Sequence, residues 1–139
     1  MGANKSFDRF EYMDLPQLSA VALNATAATR TITLDMEGWN YAVFDIVFTR
    51  SAATTVTITP VKLHPYGSTN EFSLPVIDPT TSVITYGYPA HSYTTSSTGK
   101  FTMAVPVPPG SKSVKYLFGG ASADGSDLVT VYVTKVASE

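Results

Sequence analysis

Apolar and polar residues alternate through TRTITLDM, Thr29 to Met36, with Ile32, Leu34 and Met36 on one side of an extended chain and Thr31, Thr33 and Asp35 on the other. A period of two marks a β-strand with one buried face. The segment YAVFDIVFT, from Tyr41 to Thr49, is apolar at both parities: Ala42, Phe44, Ile46 and Phe48 on one face, Tyr41, Val43 and Val47 on the other. It is expected to be a central strand covered on both sides. TTVTITPVKL alternates through Val56 and Ile58, then changes parity after Pro60 to Val61 and Leu63. Proline cannot donate to a ladder, so a bulge or a sheet edge is expected there. EFSLPVI, SVITYGY and KFTMAVPV follow, each bounded by turn residues. KSVKYLF and DLVTVYVTKV are joined by GGASADGS, a Gly-rich hairpin loop, and TTSSTG at residues 94–99 is a polar loop.

No stretch carries a helical period with caps. Eight or nine short strands at regular spacing predict an all-β fold, a two-layer antiparallel β-sandwich with jelly-roll or immunoglobulin-like connectivity. Periodicity does not choose between the two. At 139 residues the chain reads as one sandwich domain, residues 15–139, behind an extended N-terminal arm, residues 1–14. In that arm, MGANKSFDRFEYMD, Phe7, Phe10 and Tyr12 are interrupted by Asp8, Arg9, Glu11 and Asp14. Mixed composition of this kind suits aromatics that enter pockets on a neighbour while charges stay at the rim. Phe7, Arg9, Phe10, Tyr12 and the adjoining Leu15 are therefore the expected interface residues. The alternative is an arm folded back on its own sandwich.

Composition narrows the function. There is no cysteine, which excludes disulfides and thiolate metal sites. The formal net charge is −2, and Lys and Arg are scattered singly, so the basic stripe that nucleic-acid binding needs is lacking. Only 14% of residues are charged, a low content that reserves uncharged surface for contact with other protein. No apolar run reaches the ~18 residues of a membrane span, and no secretory leader is expected. Gly2 and Ser6 satisfy a lipidation pattern, but there is neither a second acylation site nor a basic cluster to make an anchor stable, so no membrane attachment is expected.

The tools of catalysis are also missing. His64 and His91 lie in loop-like contexts without a third ligand at a set spacing, and no G-x-S-x-G elbow presents a serine. Asp45, in a hydrophobic strand beside Tyr41, Val43 and Val47, is the one acid whose setting invites attention; an acid facing solvent or an arginine across the sheet accounts for it. Asp124 and Asp127 in ADGSD resemble a calcium loop only in outline, with too few oxygens for the 6 to 8 that calcium takes, and a hairpin tip is expected. No enzyme, metal or cofactor is therefore expected. Trp39, Tyr66, Tyr86, Tyr88 and Tyr93 are candidates for a sugar-stacking platform. For Trp39, closing the turn from Gly38 into the next strand is the simpler role. The tyrosines of YGYPAHSY, with Tyr66, are amphipathic contact residues that suit either a glycan or a protein surface.

The C-terminal third, AVPVPPGSKSVKYLFGGASADGSDLVTVYVTK, runs from an apolar strand through a Pro108-Pro109-Gly110 turn, a strand with Tyr116 and Leu117, and a Gly-rich loop to a Val/Thr-rich last strand. Together with the Ala/Thr-rich LSAVALNATAATRTITL and the Trp39-led strand, it resembles the capsid cement, or head decoration, proteins of tailed bacteriophages, which are small jelly rolls. The resemblance implies a non-enzymatic protein on the outer surface of the virion capsid that bridges and stabilises neighbouring major capsid protein subunits, assembled as a homotrimer, with no catalytic residues to carry over. The competing expectation is a carbohydrate- or receptor-binding β-sandwich of a phage fibre or tail that uses the tyrosine-rich loop.

Overall fold

The computed structural model describes residues 9–25, 30–64, 67–72, 74–77, 80–82, 84–87, 91–95, 97–108 and 110–138. The strands are β1 (Arg9–Tyr12), β2 (Leu18–Ala22), β3 (Arg30–Asp35), β4 (Tyr41–Thr49), β5 (Thr55–His64), β6 (Gly67–Phe72), β7 (Leu74–Ile77), β8 (Ile84–Gly87), β9 (His91–Thr94), β10 (Gly99–Pro106), β11 (Ser113–Gly119) and β12 (Leu128–Ala137). All pairings are antiparallel. In the first sheet, β12 lies beside β4 and β4 beside β10, while β1 and β2 sit end to end on the far edge of β12. In the second, β3 lies beside β11 and β11 beside β5, while β9 and β6 share the far edge of β5. β7 and β8 form a separate hairpin.

The pairs are nested: β2 with β12, β3 with β11, β4 with β10, β5 with β9. First pairs with last, and each inner pair sits inside the one before. This is jelly-roll connectivity, and it answers the choice that periodicity left open. There are more strands than the expected eight or nine because one edge is divided between β1 and β2, and β6 to β8 are inserted between β5 and β9.

The two inner faces meet in one core. Ala42, Phe44, Ile46 and Phe48 of β4, Val129, Val131 and Val133 of β12, and Met103 and Val105 of β10 face Ile32 and Leu34 of β3, Val56 and Ile58 of β5, and Val114, Tyr116 and Phe118 of β11. At its centre Phe44 meets Tyr116 and Phe118 edge-on, with ring centroids 5.0 and 5.3 Å apart. Aromatic pairs in this geometry contribute about 1 kcal/mol beyond the area they bury.

β5 departs from expectation. It is a central strand, and its ladder with β11 runs without a shift from Thr57 to Leu63, so there is no bulge at Pro60. The change of parity is real but has another cause: Ile58 and Pro60 lie on the same face as their ladder partners Phe118 and Tyr116, whereas Val61 and Leu63 lie on the other face and are buried there, outside the main core. Pro60 falls between the residues that pair with β9 and those that pair with β6. His64 and His91 likewise lie in strands, at the end of β5 and the start of β9, not in loops.

The ADGSD loop is a tie between loops. Asp127, fully buried, accepts hydrogen bonds at Oδ1 from the backbone N–H groups of Ser51, Ala52 and Ala53 at 2.6, 3.0 and 3.0 Å, and at Oδ2 from that of Asp124 at 3.2 Å. Asp124 accepts from the Ser51 hydroxyl at 2.7 Å and from the Ser126 N–H at 3.0 Å. Both carboxylates therefore serve donors of their own chain. Burial acts to raise the Asp127 pKa, but the N–H groups of Ala53, Ser51, Asp124 and Ala52 outweigh it and hold the carboxyl below its ordinary value of 3.8.

Two stability predictions follow from this packing. A depressed folded-state pKa stabilises the fold fully above the unfolded value, and that contribution is lost as pH falls through the folded one. Asp127→Asn should cost about 2 kcal/mol at neutral pH, and urea melts should show the gap to wild type closing below about pH 4. Tyr116, by contrast, carries a fully buried hydroxyl with no hydrogen-bond partner among the described residues, and burial raises its pKa. Tyr116→Phe removes that unpaired group without removing the ring. It should match or exceed wild-type stability by up to about 1 kcal/mol in the same melts.

Candidate protein-interaction face

The outer side of the first sheet is built from cross-strand rows. Residues directly opposite in an antiparallel ladder share a face. Phe10, Val136, Tyr41 and Pro106 form one row, and Tyr12, Thr134, Val43 and Ala104 form the next. Tyr132, Asp45 and Thr102 follow, then Thr130, Val47 and Lys100. Phe10 (52% exposed), Tyr12 (70%), Tyr41 (42%), Val47 (38%) and Tyr132 (40%) account for five of the seven large exposed apolar residues among those described. The rings of Phe10 and Tyr12 stack with centroids 6.2 Å apart. Asp45 and Lys100 are the sole charged side chains in these rows. Asp45 is exposed on this face, and its Oδ1 accepts a hydrogen bond from the Thr102 hydroxyl at 2.7 Å. A depression of 260 Å³ lies at this end, lined by Asp45, Val47, Lys100, Thr102 and Tyr132.

β1 joins this face by a clamp at its other side. The Arg9 guanidinium lies 4.9 Å above the Trp39 ring, and its Nη2 donates to the Gly38 carbonyl at 3.0 Å. Gly38 takes φ +81° in the turn where the Trp39 N–H donates to the Met36 carbonyl at 3.1 Å. A side chain at that φ is strained, which explains the glycine. Trp39 packs half-buried against the core with Arg9 over it, as expected of a residue that closes the turn, and does not present an open platform for sugar.

The expected site residues separate into groups. Phe10 and Tyr12 come together with Tyr41, Val43, Val47, Tyr132 and Val136. Arg9 is bound to its own chain, not set at a rim, and residues 9–12 run along β12 as the sheet edge, so the expected boundary at residue 14 falls inside that edge. Leu15 is 75% exposed in the break between β1 and β2. Phe7, Tyr66 and Tyr88 lie outside the described residues. Tyr86 is on β8, in register with Pro75. Tyr93, on β9, stacks on Phe101 of β10 with centroids 4.1 Å apart and planes 6° from parallel, bridging the two sheets away from the apolar rows. Sequence reasoning missed Tyr41, Val43, Val47, Tyr132 and Val136 as site residues. Their signal was the second apolar face of β4, expected to be covered; Tyr41 and Val47 are exposed.

No family model and no curated protein matches the chain. Among solved structures it is similar to the SPBc2 prophage-derived protein YomS, at 10% identity and a TM-score of 0.38 over 99% of both chains. It is also similar to the enzymatically active domain of tailspike protein 4 of bacteriophage CBA120, at 11% identity and a TM-score of 0.41, over 98% of this chain and 20% of that one. At these scores neither likeness bears on function.

Trp39 is the single tryptophan, so its emission reports the clamp. Arg9→Ala should alter Trp39 emission and cost about 1 kcal/mol, with the far-UV spectrum of the sandwich retained.

Proposed function

We propose that this chain is a non-enzymatic structural protein of a phage virion, a cement protein that docks the outer face of its first sheet on the major capsid protein and clamps neighbouring subunits on the outside of the head. One observation carries the reading: on the second apolar face of the central strand β4, Tyr41 and Val47 are exposed, and among the described residues no element covers them. Contiguous exposed apolar surface is the mark of a protein contact, and Phe10, Tyr12, Tyr41 and Tyr132 supply the aromatic anchors that dominate interface energies. The face is broad and nearly uncharged, which suits a large protein surface better than a small ligand. The virion setting rests on the resemblance of the strand and turn order to head decoration proteins.

A second reading, a carbohydrate-binding module of a fibre or tail, is favoured by the depression where the Tyr132 ring borders Asp45, Thr102 and Lys100, a mix of stacking surface and polar groups that suits a sugar.

Titrating purified chain onto heads that lack it, and counting copies per particle, tests the proposal. Saturable binding in hundreds of copies is expected, with Tyr41→Ser/Tyr132→Ser weakening attachment tenfold or more, since lost aromatic anchors cost roughly 2 kcal/mol each. A few copies at the tail, with glycan binding abolished by Tyr132→Ser, establishes the second reading instead. No association with particles overturns both.

A further inference from the structure

The sheet edges are not equally protected. The β1/β2 edge is broken around Pro16, and within β2 Ala20 takes φ +49° with its N–H turned to the Thr130 hydroxyl. The β5 side of the second sheet is capped by separate short pieces, β6 and β9, and β3 carries Arg30 and Asp35 at its ends. β10 differs: it is an unbroken strand of eight residues, paired with β4 on one side and with no strand on the other among the described residues. Its middle, Phe101 to Val105, carries no charge. Edges of this kind template pairing with another chain.

The direction of the free backbone groups follows from the ladder. The Val107 N–H donates to the Asn40 carbonyl at 2.8 Å. On the other side of the sheet, Val131 and Val133 turn their carbonyls to Gln17 and Met13, so the alternate residues of β12 bond β4. Bonding alternates along an antiparallel strand. Both observations therefore set Phe101, Met103 and Val105 toward β4, and the backbone of Lys100, Thr102, Ala104 and Pro106 toward the open side. Proline stands where its missing N–H is not needed by β4.

We propose that two copies of this chain pair antiparallel through their β10 edges about a two-fold axis at Thr102, joining their first sheets into one continuous sheet. In this register Thr102 faces its own copy, and Lys100 faces Ala104 of the other chain. Every outward donor meets a carbonyl, and Pro106 stays outside the ladder. On the inner face Phe101 comes opposite Met103 of the other copy. Moving the axis toward Lys100 brings the two ammonium groups together. Moving it toward Pro106 sets the proline ring against a carbonyl. The contact is thus self-complementary, as a two-fold interface requires. It is a property of the edge and does not depend on what covers the apolar face, and it differs from the threefold assembly implied by the resemblance.

Sedimentation equilibrium of the full chain tests it. The wild type should form a reversible dimer. Ala104 is exposed, so charge changes there leave the fold intact, which thermal melts verify. Ala104→Lys places a lysine opposite the other copy's Lys100, twice per dimer by symmetry, and should raise the dimer Kd about tenfold; Ala104→Glu should lower it several-fold. In the cysteine-free chain, Thr102→Cys should oxidise to a covalent dimer, because paired residues across such a ladder sit about 5.5 Å apart at Cα, within disulfide reach. A monomer at all concentrations, a trimer, or a dimer indifferent to the charge at position 104 overturns the proposal.

Discussion

The contact on which the rest of the molecule depends is that of Phe44 with the edges of Tyr116 and Phe118. It joins an inner strand of one sheet to an inner strand of the other, with all three rings fully buried. Phe44 is fully buried, and removing a buried phenylalanine ring typically costs 3–5 kcal/mol, a large share of the stability of a domain this size. The Tyr116 hydroxyl, buried without a hydrogen-bond partner among the described residues, is tolerated because its ring is part of this junction.

The open ends of the sandwich are closed by polar groups. At one end Asp127 gathers the N–H groups of residues 51–53, converting a buried charge from a cost into a tie between the β4–β5 and β11–β12 connections. At the other, the nearly buried Lys135 ammonium donates to the Asp35 carbonyl at 2.7 Å, linking β12 to the end of β3. Arg9 on Trp39 adds the edge strand at this end. Apolar burial holds the layers, and hydrogen bonds to charged groups hold the loops, because backbone donors in a loop have no ladder to satisfy them.

Against this close-packed core, the outer face of the first sheet and the β10 edge stand out as unfinished. The face leaves aromatic rings in water, and the edge leaves backbone donors and acceptors without strand partners among the described residues. Both lie on the same sheet, so pairing two β10 edges would extend one apolar surface across two copies without covering it. Self-association and docking on another protein can therefore coexist on this sheet.

The alternation of apolar residues by itself determined that the chain is all β, and it identified the inner face of β3, because a period of two is a local property of an extended chain. It also showed that β4 is apolar on both sides. What it did not determine is what lies over each face: Val61 and Leu63 are covered on the outside of β5, while Tyr41 and Val47 on the outside of β4 are not. Only the tertiary structure decided this, together with the nested pairing, the placing of Tyr132 and Phe10 on the same sheet face as Tyr41, the docking of Arg9 on Trp39, and the collection of the N–H groups of residues 51–53 by Asp127. Each of these joins residues from 30 to more than 100 positions apart, and strand periodicity carries no information about which distant strand supplies the neighbour.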